Sequence, residues 1–196
     1  MQLCEKLLTL YSHAGAHAYF GEAVTTLEHS LQAAHFAQLA NASNALVLAA
    51  LLHDVGHLIA SAPTDFAEWT VDARHEESGG RWLAAHFAAD VSEPARLHVS
   101  AKRYLCAKEP GYAARLSAAS VRTLQLQGGP MAPAEAEAFE SSAYWRDAVR
   151  LREWDDRGKI AGLRTPEFAH YRELIEAFGS ATAGNSLPSD RHNSTN

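Results

Sequence analysis

The chain has 196 residues, 47% of them hydrophobic, enough for one well-covered core, and no shift in composition marks a second domain. A formal charge of -6 excludes a nucleic-acid binder, because a phosphate backbone demands a surplus of Lys and Arg. Two cysteines, Cys4 and Cys106, are too few for a disulfide scaffold and point to a reducing, cytoplasmic setting. The N-terminus MQLCEKLLTLYSHAG has neither a basic n-region nor a cleavage site, and no apolar run reaches membrane-spanning length, so no membrane partner is expected.

Taken in chain order, nearly every periodic segment reads as helix. Leu3, Leu7, Leu8 and Tyr11 mark a first amphipathic helix, interrupted between Gly15 and Gly21. Thr25 and Glu28 form a capping box before TTLEHSLQAAHFAQLA, which carries His29. Ser43 or Asn44 caps NALVLAALLHD, a segment apolar around most of its circumference and therefore expected at the centre of the fold. It delivers His53 and Asp54 to the interior.

The connection from Ser61 to Arg74 matches no motif. In HEESGGRWLAAHF, led by His75, Gly79 and Gly80 each cost about 1 kcal/mol relative to Ala, so a neighbour is expected to pack closely there. Next, SEPARLHVSAKRYL is predicted to start at Ser92 with Pro94 in its first turn, and SAASVRTLQLQGGP to stop at Gly128, Gly129 and Pro130. Two further helices are predicted, one through AYWRDAVRLREWDD and one opening at Thr165 and Pro166 and stopping at Gly179. The domain is set at residues 1–178, and the polar tail 179–196 is expected to be disordered. The fold class is thus all-α, a helical bundle.

The stretch AALLHDVGH, Ala49 to His57, ends an apolar helix in two imidazoles and a carboxylate. Burying such groups without partners costs on the order of 2–7 kcal/mol each, and a metal is the obvious partner. Taken singly, each histidine is more readily a satisfied core or surface residue. His29, His53 with Asp54, His75 and His98 differ as a set, since they lie on separate predicted helices that can converge inside a bundle. Imidazole suits iron, manganese or zinc, and a carboxylate such as Asp54 can bridge two cations. Asp155 in REWDD is the best downstream carboxylate, with Asp156 as competitor and a solvated helix end as the plain alternative.

His29, the HD pair at His53 and Asp54, and a distant Asp resemble the signature of the HD-domain superfamily, and His75 and His98 resemble its two-metal subset. YFGEAVTTLEH, AALLHDVGH, HVSAKRYL, QGGP and REWDD, in that order across residues 15–178, are similar to the mixed-valence diiron oxygenases of that superfamily. Within them the similarity is greatest to the enzymes that cleave the carbon–phosphorus bond of 2-amino-1-hydroxyethylphosphonate. The resemblance implies an HD-domain bundle with a dinuclear site, two iron ions in the Fe(II)/Fe(III) state, O2 as cosubstrate, and glycine and phosphate as products. By the same resemblance His29, His53, Asp54 and Asp155 hold one iron, and Asp54, His75 and His98 the other.

Lys102 lies one helical turn beyond His98, where its ammonium can meet a phosphonate oxygen, and His57 stands in the same relation to His53. Ser120, Thr123 and Gln127 share one helix face, which the resemblance turns toward the same anion. It also assigns the phenol of Tyr19 to the open iron position until substrate arrives, and Glu22 to the substrate ammonium. Aromatic packing, surface charge and an ordinary polar helix face are the bland readings of these residues. The small phosphonate is the expected partner, and the protein is expected to act as a monomer. Two rival functions remain: the N-trimethylated substrate with glycine betaine as product, and a metal-dependent phosphohydrolase in which the ions activate water.

Overall fold

The structure, a computed structural model, describes residues 2–19, 21–59 and 74–179. The unmatched connection, except for its last residue Arg74, and the C-terminal tail beyond residue 179 therefore lie outside the described residues. All regular structure described is helical apart from an isolated bridge between Ala18 and Thr25, in agreement with the all-α expectation.

Helix α1 (Leu3–His13) ends in a short 3-10 turn at Ala14–Ala16. The loop that follows leads to α2 (Thr26–Leu39), opened by the Thr25/Glu28 capping box read from the sequence. Ser43 caps α3 (Asn44–Leu52), every residue of which from Ala45 to Leu52 is buried, as its unbroken apolar surface predicts. The helix does not run on through His53 and Asp54. It stops at Leu52, and α4 (Val55–Ile59) restarts beyond the HD pair. The break aims both side chains into the interior, and the ring Nδ1 of His53 donates 2.8 Å to the Ala50 carbonyl that the broken helix leaves free.

Helices α5 (His75–Ala84) and α6 (Ala89–Lys108) pack against each other, and α6 also lies along α9 (Trp145–Arg157). The two glycines of α5 mark close approach, as expected. A Cβ built at Gly79 would lie 3.0 Å from the Gly56 nitrogen, and one at Gly80 would lie 2.7 Å from the Arg96 side chain. Helix α6 begins a turn before the predicted start at Ser92, with Ala88 as its N-cap, so Pro94 is inside the helix. The hydrogen bond that Pro94 cannot make falls on the carbonyl of Asp90, an exposed residue that water can serve.

Helix α7 (Ala118–Leu126) is capped by Ser117 and stops before Gly128 and Gly129, both at positive φ. An unpredicted helix, α8 (Pro133–Glu140), follows; its sequence signals were Pro133 at the first position and the Glu135 carboxylate bonding the Ala132 N–H. The segment after Pro166 is a 3-10 turn, Phe168–Tyr171, before α10 (Arg172–Gly179). One apolar core, including Leu7, Tyr11, Leu48, Leu52, Leu83, Leu151 and Ile175, surrounds α3, and a smaller one under α8 holds Leu97, Met131 and Phe139. Among the described residues no helix is long and apolar enough to cross a membrane.

Candidate active site

Four helices and the HD break bring His29 (α2), His53 and Asp54, His75 (α5), His98 (α6) and Asp155 (α9) together, all buried. Asp54 stands at the centre. Its Oδ2 lies 3.7 Å from His29 Nε2 and 3.5 Å from His53 Nε2, while its Oδ1 lies 3.4 Å from His75 Nε2 and 3.6 Å from His98 Nε2. Each carboxylate oxygen thus faces its own pair of imidazoles. The donor atoms form two buried triads, His29/His53/Asp54 and Asp54/His75/His98, that share Asp54.

The hydrogen bonding tests whether these residues fit a metal. Nδ1 of His29 donates to the Gly158 carbonyl at 2.9 Å, Nδ1 of His53 to Ala50, and Nδ1 of His98 to Ala95 at 2.6 Å. The proton of each neutral ring is therefore on Nδ1, and Nε2 carries a lone pair. Yet the Nε2 atoms of His29 and His53 stand only 3.1 Å apart, and those of His75 and His98 3.2 Å. Burial lowers the pKa of His29 to about 4 and that of His98 to about 3, so charging either of these two rings is unfavourable near neutral pH. At the His29/His53 pair, where both Nδ1 protons are placed, the facing lone pairs repel. Cations placed between them convert the repulsion into ligation, and the backbone acceptors already orient the rings as metal ligands require. The donor set fits a dinuclear centre.

Asp155 adds a carboxylate on the first triad's side, with Oδ1 at 3.5 Å from His29 Nε2 and no hydrogen-bond partner of its own. Burial opposes its ionisation, but the Arg152 guanidinium, 2.8 Å from its Oδ2, holds the pKa well below the usual carboxylate range. Asp156 turns away and bonds Arg152 and the Tyr112 hydroxyl. Of the two acids weighed in the sequence, only Asp155 points into the cluster.

A cavity opens beside the second triad. Every other residue singled out in the sequence lines it: Tyr19, Glu22, His57, Lys102, Ser120, Thr123 and Gln127. The Tyr19 hydroxyl donates 2.8 Å to Asp54 Oδ2, and its ring stacks on His29. Burial, reinforced by Asp54, pushes the phenol pKa well up, so the proton stays on oxygen. His57 leaves the helical line of His53 because of the break, and instead stacks on His75 with centroids 3.7 Å apart. Lys102 Nζ donates 2.8 Å to Thr123 Oγ1. Ser120 Oγ accepts from Lys159 at 3.0 Å, and Oε1 of Glu22 is buried with no hydrogen-bond partner.

Two charged lining residues were not singled out in the sequence, Arg152 and Lys159. Arg152 stands three residues before Asp155, an ion-pair spacing that could have revealed it. Lys159 lies beyond the end of α9, where no periodicity applies.

Fold and site together define an HD-domain protein with a dinuclear His/Asp metal centre, and the HD-domain family profile matches residues 26–122. The hydroxymethylphosphonate dioxygenase of Gimesia maris is 40% identical over 176 residues, 88% of either chain. The [1-hydroxy-2-(trimethylamino)ethyl]phosphonate dioxygenase (glycine-betaine-forming) of Leisingera caerulea is 37% identical over 167 residues, 85% of either chain. An uncharacterized protein of Acanthamoeba polyphaga mimivirus is 33% identical over 187 residues, 94% of this chain and 85% of its own. The chain belongs to the HD-domain phosphonate dioxygenases.

Proposed function

We propose that the protein is an iron-dependent dioxygenase that cleaves the carbon–phosphorus bond of 2-amino-1-hydroxyethylphosphonate, giving glycine and phosphate. The observation that carries this reading is the polarity of the cavity beside Asp54, His75 and His98: cation and hydroxyls at one wall, a carboxylate without a hydrogen bond at another. Relatives named for hydroxyphosphonate substrates support the class of reaction. In this assignment His29, His53, Asp54 and Asp155 hold one iron and Asp54, His75 and His98 the other, leaving the second with fewer protein ligands. A pair of iron ions supplies the redox chemistry with O2 that oxidises C1 of the substrate.

The protein's own groups bind and orient. Lys102, with Thr123 and Ser120 beside it and His57 and Gln127 nearby, meets the phosphonate oxygens; a compact ammonium suits an anion of that shape. Glu22 accepts the substrate ammonium, which a primary amine can donate to it and a trimethylated nitrogen cannot. Tyr19, bonded to Asp54, screens the centre until substrate displaces it. Free Cys4 and Cys106 accord with work in the cytoplasm.

The test is metal content together with phosphate release from 2-amino-1-hydroxyethylphosphonate, its N-trimethylated analogue and hydroxymethylphosphonate, with and without oxygen. The expected results are two irons per chain, oxygen-dependent release, and the highest kcat/KM for the primary amine. In His98→Ala one ion is lost and turnover abolished. Release that ignores oxygen would identify a phosphohydrolase, and a higher kcat/KM for either other substrate would reassign the specificity.

A further inference from the structure

Lys159 enters the cavity from a backbone that is clamped on both sides. The carbonyl of Gly158 accepts from Nδ1 of His29 at 2.9 Å. Beyond it, the side-chain amide of Gln32 pairs with Ile160 twice, Nε2 donating to the carbonyl and Oε1 accepting from the N–H, each at 2.9 Å. The clamp leaves the intervening side chain little choice of direction, and only 12% of it is exposed. Its ammonium donates 3.0 Å to Ser120 Oγ, lies 3.8 Å from Glu22 Oε1 and 4.0 Å from Asp156 Oδ1.

Glu22, with 17% of its side chain exposed, thus has a resident cation at ion-pair distance but no hydrogen bond from it. An incoming ammonium that docks on Glu22 meets Lys159 as a like charge, and the two cannot share the carboxylate without mutual repulsion. Asp156 and Ser120 offer Lys159 a place to withdraw, since both already lie within its reach. A hydroxyphosphonate with no amine asks for no such movement.

We propose that Lys159 is a specificity-determining residue: an internal competitor for the Glu22 subsite that handicaps amine-bearing hydroxyphosphonates relative to amine-free ones. This rests on the reading of Glu22 as the ammonium acceptor. With Lys159 present, the pocket tolerates both substrate types; without it, the preference for the amine sharpens.

The experiment measures dissociation constants of the iron-loaded protein for 2-amino-1-hydroxyethylphosphonate and hydroxymethylphosphonate by titration calorimetry under nitrogen. It compares wild type, Lys159→Met, Lys159→Arg, Glu22→Gln and the Glu22→Gln/Lys159→Met double variant. The ratio of the two constants is expected to shift toward the amine by about fivefold in Lys159→Met, the upper range for a partly exposed ion pair. Lys159→Arg keeps the wild-type ratio, and in the Glu22→Gln background the Lys159 substitution changes it no further. Both ligands weakening together in Lys159→Met would make Lys159 a phosphonate-binding cation and overturn the proposal, as would an unchanged ratio. If Glu22→Gln leaves amine binding intact, the ammonium reading itself fails. Equal iron content and melting temperature across the variants guard against misfolding.

Discussion

Lys102 shows what burial does to a binding cation. Desolvation, with Arg152 adding repulsion, lowers its pKa to about 7, against the opposing pull of Asp155 and Asp156. In the substrate-free protein the ammonium therefore loses its proton as pH rises through 7, and with it the attraction for a phosphonate dianion. The kcat/KM profile is expected to fall on that alkaline side. In Lys102→Arg the guanidinium keeps its charge and the alkaline limb moves up, while Lys102→Met weakens binding about tenfold or more across the range, as loss of a charge-assisted bond should. An alkaline limb unmoved by the Arg substitution would remove Lys102 from phosphonate binding. Spacing made Lys102 legible in the sequence, four residues past His98 on one helix. Lys159 was illegible for the converse reason: no helix carries it, and its direction comes from His29 and Gln32, over a hundred residues earlier in the chain.

At the scale of elements, the second triad depends on how closely α5 approaches α4. A Cβ at Gly56 would lie 1.9 Å from the backbone oxygen of His75, a contact that backbone cannot absorb by rotating a side chain. Gly56→Ala must therefore push α5 outward and carry His75 away from Asp54. The expected outcome is a stability loss of about 1–3 kcal/mol, seen as a fall of several degrees in melting temperature, with one metal ion lost and the other retained. Metal stoichiometry by elemental analysis separates this from general unfolding. The glycines of α5 announced a close contact in the sequence, but Gly56 as the opposing surface did not appear there. The same limit explains the mistaken start of α6. Ser92 and Pro94 are good opening residues, but burial of Val91 against the core extends the helix backwards past them.

For the molecule as a whole, the cluster that defines the site is also a liability without metal. His29 and His98 have folded-state pKa values of about 4 and about 3 because burial disfavours their charged forms. In the unfolded chain they titrate near 6.5. As pH falls below that value the unfolded state takes up protons that the folded state refuses, so stability declines between pH 6.5 and 4. His29 alone accounts for roughly 3 kcal/mol over that window, at about 1.4 kcal/mol per pH unit. Metal-free protein should show a melting temperature that drops steeply across this range, and His29→Gln should flatten the slope. Metal-loaded protein should be more stable at pH 7, since the ions bind only the folded state. A flat profile for the metal-free protein would mean that the histidines are solvated.

What the sequence determined by itself was carried by periodicity and local chemistry: the all-helical class, the capping box at Thr25, the central α3, and the histidines and Asp54 that form the two triads. These are legible because a helix repeats every 3.6 residues and a buried imidazole among aliphatics has few explanations. Only the tertiary structure decided that the HD pair sits in a helix break, that Asp54 divides its two oxygens between two imidazole pairs, and that Asp155 turns inward while Asp156 turns to Arg152 and Tyr112. Those outcomes rest on contacts between segments distant in the chain, where packing and charge compensation in a dry interior select one direction for each side chain. Neighbouring residues carry no record of that choice.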